Sequence, residues 1–239
     1  MKYLLWKGLK FDVSNPEVYP PKPATLLLAE AASKIVRPGD TFLEVGTGSG
    51  AVAIAVAKFV KNSKVTASDI NATVIRVTQH NARLNNVKIK TVVGNLFQPF
   101  KQRSFDVIAI HPPAVPYPAH TTWGLTKGMT IATNGGPDGS RLVVKSITQA
   151  VRYLKPGGEL LLLLPHWSNT HKAYKALLNN YSSASTLSQK RVRFFPAIEG
   201  RPTKKLLQYI TTLSKNGVID IQRDKKSLFS MVSVIQALK

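Results

Sequence analysis

Length, composition and charge set the first limits on this protein. The chain has 239 residues, with 33 Lys and Arg against 12 Asp and Glu, which gives a formal net charge of +21, and it contains no cysteine. This length predicts a single domain over residues 1–239, and the 44% of hydrophobic residues supply a core and argue against wholesale disorder. The absence of cysteine excludes disulfides, cysteine-ligated zinc, iron–sulfur clusters and thiolate nucleophiles.

The excess of positive charge indicates a polyanionic partner such as RNA, DNA or a ribosome, although a basic surface can also serve solubility alone. The longest apolar run, residues 160–164, is far shorter than the ~20 residues that a helical membrane span needs. Lys7 and Lys10 interrupt the N-terminal region, so no signal peptide is predicted. We therefore expect a cytoplasmic protein with no membrane partner.

Strand and helix patterns alternate along the chain, which is typical of a parallel sheet covered by helices. The predicted helices are residues 24–36, 51–59, 71–85 and 138–154. The predicted strands are residues 41–45, 65–68, 89–93, 105–110 and 159–164. The fold class is therefore α/β, with an open and mostly parallel sheet.

Three regions fall outside this alternation. Residues 1–23 end in VYPPKP, whose prolines exclude a helix, and they predict a stiff strap ahead of the first βαβ unit. Residues 111–137 are rich in Pro, Gly and Thr and predict a long functional loop. Residues 185–239 predict a basic extension with a strand to Phe195, a helix over 203–215 and a strand over 228–238, the two strands pairing antiparallel at the edge of the sheet.

A glycine turn with the sequence EVGTGSG at residues 44–50 follows the first strand of the predicted sheet. Glycines there allow close approach of the backbone to a ligand, and open α/β sheets bind ligands in this crevice. A tight turn without a ligand is the alternative. The pattern also fits the relaxed dinucleotide fingerprint, with Asp69 placed for ribose hydroxyls, so the motif alone leaves a nicotinamide dehydrogenase open. The carboxylate of Glu44 suits a cationic sulfonium better than a pyrophosphate, which favours S-adenosylmethionine (SAM).

The sequence FLEVGTGSG at residues 42–50 resembles the first motif of class I SAM-dependent methyltransferases, and most closely that of the HemK/PrmC group, whose best-known members methylate a release-factor glutamine. Residues 18–25, 68–71, 94–97 and 135–139 are similar, in order, to the group's proline-rich strap, ribose motif, adenine motif and glycine-rich turn. The resemblance covers residues 18–165 and implies a Rossmann-like class I methyltransferase fold. It implies that the cofactor is bound by Thr25, Glu44, Gly46, Thr47, Gly48, Gly50, Asp69, Ile70, Asn95 and Leu96.

The chain departs from the group's pattern in two places. Asn95 stands where the group usually has an acid, and its amide can still bond an adenine. His111-Pro112-Pro113-Ala114 stands where the group has Asn-Pro-Pro-Tyr. In the group, the asparagine and a backbone carbonyl accept hydrogen bonds from the substrate amino group, and the aromatic residue packs on the substrate. The resemblance therefore implies that His111 orients or deprotonates the nucleophile, with the backbone of Pro112 and Pro113 as the floor, whereas Ala114 cannot stack on a substrate.

Methyl transfer from a sulfonium is a direct displacement, and a chain without cysteine can use neither a thiolate adduct nor an iron–sulfur radical route. A nitrogen or oxygen nucleophile is therefore expected. No metal is expected, because the remaining histidines have no ligand-like spacing with a carboxylate; they are His80, His120, His166 and His171. Tyr117 and Trp123 are candidates for stacking on a substrate, and His166 and Trp167 for lining the crevice, with local packing as the alternative for each.

The basic tail adds a bias towards RNA or the ribosome, since residues 190–239 hold eleven Lys and Arg against three acids. The sequence predicts a SAM-dependent methyltransferase that acts on a nitrogen or oxygen of a translation-related protein or an RNA. Two alternatives stay open: methylation of a small metabolite, suggested by the altered HPPA motif, and a SAM- or RNA-binding module without catalysis.

Overall fold

The computed structural model describes residues 2–118, 125–194, 204–224 and 227–239. The strands are β1 (Tyr3–Trp6), β2 (Leu9–Asp12), β3 (Thr41–Val45), β4 (Lys64–Asp69), β5 (Lys90–Val93), β6 (Phe105–Ile110), β7 (Leu154–Pro165), β8 (Ser183–Arg193), β9 (Gln222–Asp224) and β10 (Ser227–Leu238). The helices are α1 (Pro23–Ile35), α2 (Ala51–Phe59), α3 (Ala72–Leu84), α4 (Lys127–Thr133), α5 (Arg141–Tyr153), α6 (Thr170–Asn180) and α7 (Lys204–Lys215).

The main sheet has the strand order β5-β4-β3-β6-β7-β10-β8, with β9 paired to β10. Strands β3 to β7 are parallel, whereas β10 lies antiparallel between β7 and β8. This arrangement confirms the predicted α/β fold with an antiparallel C-terminal edge. Because the chain order reverses between β3 and β6, the carboxyl ends of the strands open into a crevice there.

The core has two apolar layers, one on each face of the sheet. Helices α1, α2 and α3 cover one face, and α5 and α6 cover the other. Strand β7 contributes to both layers: Leu161 and Leu163 face the first, whereas Leu160, Leu162 and Leu164 face the second. The continuous leucine run is thus a strand buried on both faces, as its sequence predicts.

The N-terminal hairpin of β1 and β2 was not predicted from the sequence. Its strands pair antiparallel and reverse at Lys7 and Gly8, which have φ of 46° and 78°. Helix α3 holds the hairpin through side-chain amides, because Asn81 Oδ1 accepts from Asp12 N and Asn85 Oδ1 accepts from Lys10 N, both at 2.8 Å. The residues 1–23 predicted as a strap therefore begin with a hairpin.

Two further predictions need correction at their boundaries. Helix α5 begins at Arg141 rather than Asp138, because the Asp138 carboxylate accepts from Ser140 N and fixes a turn before the helix. It ends at Tyr153, since Leu154 already pairs with Phe105 in the sheet. The region predicted as a loop over 111–137 contains α4. None of the helices in the described ranges is long and apolar enough to cross a membrane.

Candidate functional site

The carboxyl ends of β3, β4, β6 and β7 open into a cavity of about 280 Å³. All but one of the site residues predicted from the sequence line this cavity. They are Thr25, Glu44, Gly46, Thr47, Gly48, Asp69, Ile70, Asn95, Leu96, His111, Pro112 and Pro113. Gly50 lies outside the lining at the start of α2, where its φ is 84° and a Cβ would come within 2.9 Å of Thr78 Cγ2.

The glycine turn leaves open space on its cavity side. Its backbone is held from below, because Gly46 N and Thr47 N both donate to Ser68 O, at 2.9 and 3.0 Å. Gly46 has φ of 73°, and a Cβ built on it would meet no protein atom within 4 Å. A side chain at this position would enter the cavity instead of packing against protein, so the turn fits a ligand that approaches the backbone closely.

Glu44 is one of three carboxyl groups that line the cavity, the others being Asp69 and Glu17. The side chain is buried, and its Oε2 accepts from Thr47 Oγ1 at 2.7 Å and from Ala53 N at 2.9 Å. Burial raises the pKa of Glu44 to about 8, because these two hydrogen bonds only partly offset the cost of desolvating a charge. Glu44 therefore links the glycine turn to the first turn of α2 at the wall of the cavity.

Asp69 is the second carboxyl group, at the end of β4. Its Oδ1 accepts from Asn71 N at 3.0 Å and its Oδ2 from Gly48 N at 3.3 Å. Burial raises the pKa of Asp69 in spite of these bonds. Two acids beside an open glycine turn suit a ligand that is cationic and carries hydroxyl groups.

His111 directly follows β6 and lines the cavity. Its Nδ1 is 3.4 Å from Thr25 Oγ1, and the ring of Tyr19 meets the imidazole edge-on with 6.2 Å between centroids. Burial lowers the pKa of His111 to about 4, so the ring is neutral at neutral pH. It can accept a hydrogen bond or take a proton there, but it carries no positive charge.

The strap and α4 meet over the cavity. Glu17 Oε2 accepts from Gly128 N at 2.7 Å, and Thr126 Oγ1 donates to Pro16 O at 3.4 Å. Gly128 is required by this contact, because a Cβ there would lie 2.2 Å from Glu17 O. We call the contact between Glu17 and Gly128 the strap latch. It fixes a helix whose Ile131 side chain forms part of the cavity wall.

Sequence reasoning missed several polar residues of the cavity, among them Glu17 and Ser146. Glu17 gives no signal of its own, because its role depends on α4, which is distant in the sequence. Ser146 on α5 also lines the cavity, and its buried Oγ has no hydrogen-bond partner among the described residues. The only sequence signal for it is a small polar residue between Val143 and Ile147 on the inner face of an amphipathic helix.

The other aromatic and histidine candidates have mixed outcomes. Tyr117 is buried with its hydroxyl 2.7 Å from Thr133 Oγ1, which supports local packing, whereas Trp123 and His120 lie outside the described residues. Trp167 lines the cavity, but His166 does not, and its Nε2 is 2.9 Å from Ser233 Oγ. Within the ranges that the structure describes, no three His, Asp or Glu residues are grouped as metal ligands.

Known proteins resemble this chain over the region that contains these motifs. The family model for the methyltransferase small domain matches residues 21–127. A protein of Methanocaldococcus jannaschii with the provisional name protein N5-glutamine methyltransferase is 32% identical over 157 residues, which cover 66% of this chain and 76% of the relative. This chain belongs to the HemK/PrmC group of class I SAM-dependent methyltransferases. The resemblance and the fold predicted from the sequence are therefore confirmed, and SAM is the cofactor of the family, as predicted.

Other relatives in this group are longer than the matched region. The release factor glutamine methyltransferase of Gloeobacter violaceus is 31% identical, over 68% of this chain and 60% of its own length. Among solved structures, YcgJ of Bacillus subtilis has a TM-score of 0.61 at 16% identity, over 90% of this chain and 97% of that one. The 16S rRNA N2 G1207 methyltransferase of Thermus thermophilus has a TM-score of 0.59 at 15% identity, over 100% of this chain and 50% of that one. At these identities the two structures show the shared fold alone.

Proposed function

We propose that this HemK/PrmC-group protein transfers a methyl group from SAM to a nitrogen or oxygen of a translation-related macromolecule. The observation that carries the proposal is the shared cavity: the acids Glu44 and Asp69, the open turn at Gly46 and the neutral His111 all line it. A cytoplasmic location is part of this proposal, because translation-related substrates are found there.

The cavity residues fit the cofactor by their chemistry. The Asp69 carboxylate can accept from ribose hydroxyls, and Glu44 brings a carboxyl group that stabilises a cationic ligand. Ile70 is 52% exposed and, like Leu96, lines the cavity, so these apolar side chains can pack against the faces of an adenine. Thr47 and the amide of Asn95 offer further hydrogen-bonding groups. When bound, SAM supplies a methyl group that is activated by its bond to a sulfonium sulfur.

His111 then orients the methyl acceptor. As a neutral ring it can accept the N–H or O–H hydrogen of the nucleophile, which directs the lone pair towards the methyl group and gives the proton a place to go. Pro112 and Pro113 form the floor beside it. The strap latch holds α4 at the wall of the site and thereby excludes water. Most of the rate enhancement then comes from the position of the methyl acceptor beside the methyl group.

The relatives support a substrate from the translation apparatus. The relatives from Gloeobacter violaceus and Rhodopirellula baltica are named for a release factor glutamine, and a protein of Caldicellulosiruptor bescii that is 42% identical over 101 residues is named for ribosomal protein L11. The last of these matches covers 42% of this chain and 31% of the relative. The HPPA motif differs from the motif of the group at both ends, which supports an acceptor other than the release-factor glutamine.

Transfer of labelled methyl groups tests the proposal. The protein is incubated with methyl-labelled SAM and fractionated lysate, and the products are treated separately with protease and with ribonuclease. We expect label in a macromolecular fraction that one of the two enzymes destroys, and no label with the Asp69→Ala variant. Tight SAM binding without transfer to any fraction, or label confined to small molecules, would contradict a macromolecular methyltransferase.

A further inference from the structure

Six basic residues lie on neighbouring elements at one end of the C-terminal edge of the sheet, with Arg191 and Arg193 on one face and the others on the opposite face. We call this group the basic rim, and it consists of Lys190, Arg191 and Arg193 on β8, Lys204 and Lys205 at the start of α7, and Arg223 on β9. All six are exposed. The mechanism proposed above uses none of them.

The strand register places the basic rim at the cavity end of the sheet. On one side of β10, Leu238 pairs with Glu159 and Val232 with Pro165, the last residue of β7 at the cavity. On the other side, the same strand runs from Leu238, opposite Ser183, to Phe229, opposite Arg193. The end of β8 that carries Arg191 and Arg193 therefore extends past the carboxyl end of β7, on the cavity side of the sheet.

Two contacts connect the basic rim to the cavity wall. Trp167, which lines the cavity, packs against Phe194 with 5.2 Å between ring centroids, and Phe194 directly follows Arg193. On α7, Tyr209 Oη donates to Pro137 O at 2.7 Å, beside the glycine-rich turn before α5. Leu206 belongs to the same apolar cluster as Phe194, so the start of α7 is fixed to this wall as well.

Among the described residues, no carboxylate forms an ion pair with the basic rim, and the ion pairs that are present use other cations. Arg191 and Arg193 instead converge on one aromatic ring, with their guanidinium carbons 4.2 and 6.0 Å from the centroid of Phe229. Two like charges held over the same ring repel each other, and an anion bound between them would remove that repulsion.

The chemistry of the surface favours a phosphate backbone over an acidic protein. A guanidinium presents a planar fork of donors that matches the oxygens of a phosphate. The remainder of β8 presents exposed Ser, Thr and Gln side chains, which are common donors to nucleic-acid phosphates and sugars. A base that enters a cavity of about 280 Å³ must also leave its stack, which is easiest from a single strand.

We propose that the basic rim binds the phosphate backbone of single-stranded RNA and leads the methyl acceptor of that RNA into the cavity. The proposal rests on the proposed function, because it identifies the macromolecule that is methylated. The rim then supplies affinity that does not depend on sequence, whereas the cavity selects the acceptor.

RNA binding by a matched pair of variants tests the basic rim. The rim variant carries Arg191→Gln, Arg193→Gln and Arg223→Gln. The control variant carries Lys61→Gln, Lys64→Gln and Lys101→Gln, which remove the same charge from exposed positions at the start of β4 and before β4 and β6, at the other end of the sheet. The probes are a fluorescent mixed-sequence single-stranded RNA and polyglutamate of equal charge, each titrated without SAM at several salt concentrations.

We expect the rim variant to bind RNA at least about tenfold more weakly than the unmodified protein. The magnitude of the slope of log affinity against log salt should decrease by about 2, since each lost phosphate contact removes about 0.7. The control variant is expected to change affinity less than about threefold. Equal losses in both variants would overturn the proposal in favour of diffuse attraction. Equal binding of polyglutamate, with the same loss in the rim variant, would overturn it in favour of an acidic protein partner.

Two further measurements keep this outcome separate from that of the proposed function. SAM affinity and thermal unfolding are measured on the same samples, and Arg223→Gln alone serves as a second variant because this side chain is exposed and outside the Phe229 contact. Intact SAM binding with unaltered RNA binding in the rim variants contradicts the basic rim alone. Absent SAM binding contradicts the proposed function, whatever the RNA titration shows.

Discussion

At the scale of single residues, His111 has an environment that determines which chemistry it can perform. The ring is held between Thr25 and Tyr19 at the wall of the cavity, and burial lowers its pKa to about 4. It is therefore neutral over the range in which most enzymes work. A neutral imidazole has one acceptor nitrogen, so it can replace the acceptor function that an asparagine has in the HemK/PrmC pattern.

Replacing His111 separates its role from cofactor binding. We expect His111→Ala to lower the rate of methyl transfer by about 10² or more, because an oriented acceptor for the proton contributes about that much. His111→Asn should recover part of the rate, since its amide oxygen also accepts a hydrogen bond. The measurement is the initial rate of label transfer to the fraction that the unmodified protein methylates.

SAM affinity is the control for this series and should stay within about threefold in both variants, because the carboxyl groups proposed to bind the cofactor, those of Glu44 and Asp69, lie on β3 and β4 and not on β6. Because the ring is already neutral, the pH profile of the rate should show no inflection near pH 6.5 that depends on His111. The unmodified protein and His111→Ala should therefore have profiles of the same shape around that pH. Full turnover by His111→Ala with unchanged SAM affinity would contradict the role of this residue.

Most of the site residues predicted from the sequence do line the cavity, because their positions follow from strand ends. Glu44, Asp69 and His111 each lie at the carboxyl end of a parallel strand, and parallel strands bring those ends to one edge. Glu17 and Ser146 could not be predicted in the same way. Glu17 reaches the cavity through a contact with a residue 111 positions away, and nothing local encodes that contact.

At the scale of elements, the strap latch couples a segment without regular structure to a short helix. Helix α4 has only 7 residues after its cap, where Thr126 Oγ1 accepts from Met129 N, and isolated helices of this length are unstable in water. The bond from Gly128 N to the Glu17 carboxylate is therefore a large part of what holds α4 over the cavity. The helix was missed in the sequence because its residues, KGMTIAT, combine a glycine and β-branched residues with no clear helical period.

Removing the latch should loosen α4 without unfolding the protein. We expect Glu17→Ala to increase hydrogen exchange at the α4 amides by about tenfold or more, whereas global stability falls by only about 1 kcal/mol, the scale of one partly exposed hydrogen bond. SAM affinity should fall with it, because α4 forms part of the cavity wall. Exchange mass spectrometry of residues 127–133, with and without SAM, measures the effect.

Glu30→Ala is the matched control for this variant. It also removes one acid, but Glu30 pairs with Lys7 and Lys34 on the surface and not with α4. Unchanged exchange in α4 after Glu17→Ala, or an equal increase after Glu30→Ala, would show that the strap latch does not hold the helix.

The elements that the sequence did not predict share a physical cause. The hairpin of β1 and β2 turns at Lys7, a residue that seldom adopts positive φ, so the turn lacks the usual Asn-Gly signature. It is held by Asn81 of α3 and by Asn85 directly after that helix, which are remote in sequence, and by the burial of Leu9 and Phe11 in the core. Strands β6 and β7 were found because burial on both faces gives them apolar runs, whereas the hairpin and α4 depend on tertiary contacts.

At the scale of the whole molecule, the protein is strongly basic, whereas its cavity holds a buried acidic group. The chain carries +21, yet Glu44 is an acid buried at its cavity, and burial raises its pKa to about 8. An acid whose pKa is higher in the folded state binds its proton more tightly when folded. Its contribution to stability is present below the ordinary glutamate pKa and is lost as the pH rises towards about 8.

This linkage predicts how the stability of the ligand-free protein changes with pH relative to Glu44→Gln. The variant keeps the size and hydrogen-bonding capacity of the side chain but cannot ionise. Between pH 6 and pH 8, we expect the unmodified protein to lose about 2 kcal/mol of unfolding free energy relative to the variant, since one proton contributes about 1.4 kcal/mol per pH unit. Comparing the two proteins cancels the opposite effect of His111, whose lowered pKa makes stability rise with pH up to about 6.5. Urea unfolding at both pH values, with equal slopes for the two proteins, gives the difference. Parallel curves of unfolding free energy against pH for the two proteins would mean that Glu44 is already ionised in the ligand-free fold. A cation bound at the cavity should stabilise the unmodified protein more at pH 8 than at pH 6.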